Sequence, residues 1–123
     1  MQKKYDVFLI CPVRNANEEQ KEKMKEYINN LESLNKKVYY PARDTNQEDT
    51  TGLKICKDNC KAIKQSKEIH IFWDSTSQFT YFDLGMVFMA NKELTIVNTD
   101  DLIITGHKSA DDMINDWYKN GRS

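Results

Sequence analysis

Residues 68–92 (EIHIFWDSTSQFTYFDLGMVFMANK) carry two hydrophobic periods back to back. The run 69–73 is short, β-branched and aromatic, which predicts a buried strand. From residue 79 onward the apolar side chains recur at helical spacing. Phe79, Phe82, Met86 and Met89 share one face of that helix, with Val87 and Ala90 beside it. A polar loop, residues 74–78, joins the two. A strand that runs through a short hydroxyl-rich loop into a helix is the building block of α/β folds. In such folds the loop amides and the helix N-terminus form a place for a ligand, and they favour an anion. Asp83 falls in the first turn of the predicted helix, where an acidic residue asks for a reason.

The rest of the chain repeats the alternation. Residues 5–11 (YDVFLIC) predict a first buried strand, ended by Pro12, which has no N–H to give to a ladder. Asn17 with Gln20 three positions on has the spacing of a capping box. It starts a helix over 18–34, whose inner face is Met24, Tyr27, Ile28, Leu31 and Leu34. Residues 38–40 predict a short second strand. The stretch 41–51 (PARDTNQEDTT) is polar and aperiodic, and a loop of that length in a compact domain is usually functional or mobile. A helix over 52–66 turns Leu53, Cys56, Cys60 and Ile63 inward, with Asn59 beside them. After the central stretch come a strand at 94–97, an apolar segment at 102–105 that could be a further strand, and a last helix. Ser109 and Asp112 mark that helix's start, and Met113, Ile114 and Trp117 form its apolar face. Alternating strands and helices imply right-handed βαβ units and a parallel sheet covered on both faces. For four or five strands the expected order is about 2-1-3-4, a flavodoxin-like or truncated Rossmann arrangement. Its switch point lies between the first and third strands, so the 12–17 and 74–78 loops should flank one crevice.

The 123 residues suit one domain spanning 1–123, with 39% hydrophobic and 30% charged side chains. A net charge of −1 does not suit a groove for a nucleic-acid polymer. No apolar run approaches the roughly 20 residues that span a bilayer. The N-terminal 13 residues resemble a crude signal peptide, but Asp6 breaks the run and no small-residue cleavage site follows. The reading is a cytoplasmic protein with no membrane partner. Cys11, Cys56 and Cys60 are odd in number and without a secreted-scaffold pattern, so free thiols are expected. Cys56, Cys60 and His70 could be imagined around a metal, yet no fourth ligand has suitable spacing, and core thiols are the plainer reading.

Asp83 supports two readings. In one, Thr80 and Asp83 form a capping box and the carboxylate satisfies a helix-end amide. In the other it is a carboxylate at the mouth of a crevice, near Phe79, Tyr81 and Phe82. There it could act as a nucleophile or stabilise a developing cation. The hydroxyls of Ser75, Thr76 and Ser77 suit a phosphate or sugar, or form an ordinary turn. Asp74 could bind ribose hydroxyls or shape the turn. Asn59 is a ligand contact or a satisfied core amide. Tyr5, Arg14 and Arg43 could touch a base or phosphate, or be ordinary surface. The sequence has no G-x-G-x-x-G, no Walker A loop and no G-x-S-x-G elbow, and neither His70 nor His107 has triad partners in sequence.

Residues 59–74 (NCKAIKQSKEIHIFWD) followed by 77–86 (SQFTYFDLGM) resemble the nucleoside 2-deoxyribosyltransferase superfamily, which includes 2′-deoxynucleoside 5′-phosphate N-hydrolases. The resemblance covers roughly residues 5–97. It implies a flavodoxin-like or Rossmann-like fold and cleavage of the N-glycosidic bond of a nucleoside or nucleotide. Asp83 stands where the family has the glutamate that attacks C1′, and Ser77 where a serine holds the 5′-phosphate. Tyr5 and the 11–14 segment, with Cys11, Pro12 and Arg14, correspond to the part of the first strand and loop that contacts sugar and base. Asn59, or Cys60 next to it, matches a helix position that carries an aspartate in catalytic members. The resemblance also implies a homodimer or larger homo-oligomer.

Two differences stand out. Asp83 is one methylene shorter than glutamate, and the helix aspartate is replaced. The sequence reading is therefore a nucleoside or nucleoside 5′-monophosphate N-glycosidase or 2-deoxyribosyltransferase. Asp83, Asp74 and Asn59 form its catalytic group, and Tyr5, Cys11, Pro12, Arg14, Ser75, Ser77 and Phe82 contact substrate. No metal or organic cofactor is required, because the carboxylate carries the charge chemistry. The alternative is a non-catalytic nucleotide-binding or sensing module on the same fold. A third reading is a structural domain with a protein partner on its last helix.

Overall fold

The computed structural model describes residues 3–12 and 16–122. Four parallel strands form one sheet in the order β2-β1-β3-β4: β1 Tyr5–Ile10, β2 Val38–Tyr39, β3 Ser66–Ile71 and β4 Glu93–Ile96. The helices are α1 Glu18–Ser33, α2 Pro41–Asp44, α3 Leu53–Lys64, α4 Gln78–Met89 and α5 Ala110–Asn120. The result is a flavodoxin-like α/β sheet in the order the alternation predicts. No helix among the described residues is long and apolar enough to cross a membrane.

β1 is central because Val7, Phe8, Leu9 and Ile10 are apolar without interruption, and a strand buried on both faces must be. Val7 and Leu9 meet Ile28 of α1 on one face. Phe8 and Ile10 meet Ala62 and Ile63 of α3, Leu84 and Val87 of α4, and Ile114 and Trp117 of α5 on the other. Burying each large side chain stabilises the fold by roughly 1.5–3 kcal/mol. β1 exchanges ladder bonds with β2 on one edge and β3 on the other, while α1 and α3 lie on opposite faces. The crevice of the switch point therefore opens beyond the carboxyl ends of β1 and β3.

Several expectations are corrected. The 102–105 segment is not a strand, since α5's first turn takes its amides. Asp111 accepts from the Ile103 N–H at 2.9 Å, and Asp112 accepts from the Thr105 N–H at 3.2 Å and the Thr105 hydroxyl. Ile103 and Ile104 are left exposed. The 41–51 stretch opens with one helical turn, α2, because Pro41 at its first position supplies a preset φ. α4 is rotated from its predicted setting. Thr80, Asp83, Leu84 and Val87 face in, while Phe79, Phe82 and Met89 are 41%, 56% and 80% exposed. Leu34, Leu53 and Met113 likewise point outward at the rims of their helices.

β3 also starts earlier than predicted, at Ser66, which pairs with Tyr5. At its far end Asn98 replaces a neighbouring strand. Its Oδ1 accepts from the Trp73 N–H at 2.6 Å, and its Nδ2 donates to the Trp73 carbonyl at 2.9 Å. Asn98 thus holds the chain extended up to the loop that begins at Asp74.

Candidate active site

A cavity of about 260 Å³ lies where the topology places the crevice. Cys11 and Pro12 line it after β1, and Asp74, Thr76 and Ser77 line it after β3. α3 contributes Ile55, Cys56 and Asn59, and the first two turns of α4 contribute Gln78, Phe79, Thr80 and Asp83. Pro41 and Gln47 complete the wall from the segment between β2 and α3. The volume sits just below the ~300 Å³ at which ligand sites commonly begin.

Asp83 is not a helix cap. α4 begins at Gln78 with Ser77 as its N-cap, so Asp83 lies in the second turn and Thr80 is a buried helix residue. Asp83 is 7% exposed, and burial pushes its carboxyl pKa up from 3.8 to about 7. The Asn59 side chain, on the same cavity wall, opposes the shift. The neighbouring thiols stay protonated: burial lifts Cys11 to about 12 and also raises Cys56. Asp83 is therefore the group on this wall that titrates near neutrality, in a surround of thiols, amide and hydroxyl.

The two helix N-termini around the cavity differ. α3 starts after Gly52, which is in the left-handed conformation at φ +87 and offers no side-chain cap. Asp49 reaches back and accepts from the Ile55 N–H at 3.0 Å, and the amides there hold its carboxyl below the usual range. That positive end is already neutralised. α4 has no side-chain cap and no acid in its first turn, and residues 77–80 all line the cavity. Its positive end opens on the cavity. Phe79 reaches across to the 45–52 segment and covers Gly52, where a β-carbon would sit 3.0 Å from the ring's Cζ.

The loop after β3 is built around Asp74. One carboxylate oxygen accepts from the Thr76 N–H at 2.9 Å and the Thr76 hydroxyl at 2.6 Å, and the Asp74 carbonyl accepts from the Ser77 N–H at 3.1 Å. Asp74 shapes the turn while still facing the cavity. Ser75 points outward, and its carbonyl accepts from the Tyr81 hydroxyl at 3.0 Å.

The structure therefore brings together Asp83, Asp74, Asn59, Cys11, Pro12 and Ser77. It places three of the expected residues elsewhere. Tyr5 is the first residue of β1, at the opposite end of the strand, with its ring edge-on to Tyr39. Ser75 and Phe82 do not line the cavity: Ser75 is exposed, and Phe82 lies on the outer face of α4 because the helix is rotated. Arg14 lies outside the described residues. Arg43 is turned away toward Glu32, Asp44 and the Val38 carbonyl. His70 is a buried sheet-face residue, bonded to the Tyr27 hydroxyl at 2.5 Å and to Glu68 at 2.7 Å. No cluster of three metal-ligating side chains occurs among the described residues.

Sequence reasoning missed Thr45 and Tyr39, which reach the site through hydrogen bonds. The Tyr39 hydroxyl lies 2.5 Å from Thr45 Oγ1, and Thr45 Oγ1 donates to Asn59 Oδ1 at 3.0 Å. All three residues are at most 8% exposed. The unusual length of the polar 41–51 stretch was the only signal that it served a site.

No family model matches the sequence, and no curated protein matches it. Among solved structures the fold is similar to the 2-deoxyribosyltransferase of Bacillus psychrosaccharolyticus, an enzyme described as a biocatalyst for nucleoside synthesis. The two chains are 19% identical, with a TM-score of 0.62 over 74% of this chain and 70% of that one. The likeness establishes a shared sheet architecture.

Proposed function

We propose that this chain, as one domain, cleaves the N-glycosidic bond of a nucleoside or nucleoside 5′-monophosphate, with Asp83 acting at C1′. The observation that carries the reading is Asp83 itself: a buried carboxyl on a cavity wall, poised near neutrality, at the switch point of the sheet. The fold shared with a 2-deoxyribosyltransferase supports the same reaction class.

In this reading the sugar sits against Asp83, and the cavity keeps bulk water from its C1′ face. The C1′–N bond breaks with its electron pair leaving on the base, which takes up a proton from solvent. The ionised Asp83 oxygen bonds to C1′, or holds the oxocarbenium ion electrostatically. A water molecule attacking C1′ displaces the Asp83 oxygen where that bond has formed and releases a proton to solvent, completing hydrolysis; a second base attacking through a ring nitrogen, with loss of its N–H proton to solvent, completes transfer. The Asn59 amide steadies the carboxylate. Ser77, Thr76 and the positive end of α4 hold the 5′ substituent, and Asp74 bonds a sugar hydroxyl with its second oxygen. No cofactor enters these steps.

Free-base release from a panel of ribo- and deoxyribonucleosides and their 5′-monophosphates tests this, with Asp83→Asn as control. The expected result is release from at least one substrate, reduced about 10²–10⁴-fold in the variant. Binding without release from any substrate would overturn the catalytic reading and leave a nucleotide-binding module.

The reading includes a homo-oligomer that buries the outer face of α4. Phe79, Phe82 and Met89 expose an apolar stripe beside the cavity, and such stripes mark association surfaces. Sedimentation should show a dimer or larger species that Phe82→Asp dissociates. A wild-type monomer at micromolar concentration would refute it.

A further inference from the structure

The Asn59 amide can face Asp83 in two ways. With its NH₂ toward the carboxyl it donates, and it favours the ionised form. With its carbonyl toward the carboxyl it can only accept, and it favours the protonated form. We propose that Tyr39 and Thr45 are positioning residues that lock the first orientation and so keep Asp83 in the form that acts on C1′. The inference rests on the reaction proposed above for its purpose, but not for its measurement.

The lock follows from counting protons. Thr45 has one hydroxyl proton, and it goes to Asn59 Oδ1 at 3.0 Å. In the 2.5 Å contact between Thr45 and Tyr39, the phenol must therefore be the donor. Burial raises the Tyr39 pKa, so the phenol keeps its proton at neutral pH. Asn59 Oδ1 is thus engaged by Thr45, which leaves Nδ2 for Asp83, and Asn59 lowers the Asp83 pKa as an N–H donor would. The chain runs one way: Tyr39 to Thr45 to Asn59 to Asp83.

Reversing it would make Thr45 donate to Tyr39, and the phenol proton would then need a new acceptor. No buried side-chain nitrogen or oxygen among the described residues lacks a hydrogen-bond partner. Tyr39 is also fixed bodily. Its ring stacks on Phe8 at 5.4 Å and meets Tyr5 at 5.1 Å, so the hydroxyl cannot swing away without disturbing the sheet face. Tyr5 thus supports the Tyr39 ring by its edge.

The other groups facing Asp83 do not compete for this role. Cys11 from β1 and Cys56 from α3 are neutral thiols. Asp74 on the loop after β3 is committed to Thr76 through one oxygen. Gln47 donates to the Pro41 and Thr45 carbonyls. Asp49 is held at the start of α3.

The test is the titration of the Asp83 carboxyl carbon by NMR in ligand-free protein, with the resonance assigned by its loss in Asp83→Asn. Tyr39→Phe keeps the ring and removes the directional proton, and Thr45→Val keeps the shape and removes the link. Each should raise the Asp83 midpoint by about 0.5–1 pH unit, the size of one modest hydrogen bond. Thr45→Ser restores the hydroxyl and should titrate like the wild type. If both Tyr39→Phe and Thr45→Val titrate at the wild-type midpoint while folded by near-ultraviolet circular dichroism, the inference is wrong. A Thr45→Ser midpoint that moves with Thr45→Val would also overturn it, since packing and not the hydroxyl would then set the value. Absence of base release from every substrate would sink the proposed reaction and leave these midpoints as informative as before.

Discussion

Replacing Asp83 by asparagine should make the protein more stable at alkaline pH and leave it unchanged in acid. The carboxyl ionises near 3.8 in the unfolded chain and at about 7 in the fold, because burial disfavours its charge. Below about pH 3.8 it is protonated in both states, and there is no penalty. Between about 3.8 and 7 the unfolded chain releases the proton that the fold retains, so stability falls as pH rises. Above about 7 the full penalty is present. At about 1.4 kcal/mol per pH unit, a rise from 3.8 to about 7 corresponds to about 4 kcal/mol. The asparagine side chain of the variant is isosteric and neutral, and its carbonyl can still accept from Asn59. Urea unfolding of both proteins at several pH values between about 3 and 8 gives the difference directly, and the other titrating groups largely cancel. The variant's advantage should be near zero at the acid end and grow to a few kcal/mol at the alkaline end. A difference that stays flat across that range, or a variant that is less stable at the alkaline end, would refute the account of a buried, poised carboxyl.

Two further expectations concern what holds the cavity in shape. Asn98→Ala removes both bonds to the Trp73 backbone, which should lower stability by about 1–3 kcal/mol. Hydrogen exchange should then quicken in the 73–77 segment more than in β1, and uniform exchange would count against the bracing role. Gly52→Ala adds a β-carbon 3.0 Å from the Phe79 ring at a backbone φ of +87. It should destabilise by about 1 kcal/mol or more and weaken ligand binding, measured by thermal shift with and without nucleoside. An unchanged melting temperature would count against both the backbone strain at that φ and the close Phe79 contact.

Much of the sheet could be read from the sequence because its signals are local. The unbroken apolar run in β1 marks a strand buried on both faces, and the alternation with helical segments sets the order of the strands. The switch point followed, and with it the position of the cavity. The setting of α4 could not be read. Phe79, Phe82, Met86 and Met89 compete with Leu84 and Val87 for the core, and a helix apolar on nearly every side has no periodicity to choose between them. The buried face includes Thr80 and Asp83 because it meets the cavity and Asn59, which are distant in sequence. The same helix made Thr80 and Asp83 look like a capping box, although the helix begins two residues before Thr80. Ser66 joined β3 despite its polar neighbours because its hydroxyl bonds the Ala62 carbonyl at 2.7 Å. Tyr39 and Thr45 were invisible as site residues, since their role depends on a hydrogen-bond chain spanning β2, the following loop and α3.

The most direct test of the central claim is the pH dependence of kcat/KM for base release. An ionised Asp83 acting at C1′ predicts a rate that rises with pH, with a midpoint near the carboxyl's value of about 7, and levels off above it. In Asp83→Asn that limb should be absent from whatever activity remains. A limb with its midpoint near the ordinary carboxylate value of about 4, or one that survives the substitution, would mean that another group carries the chemistry and that Asp83 is only a buried part of the wall.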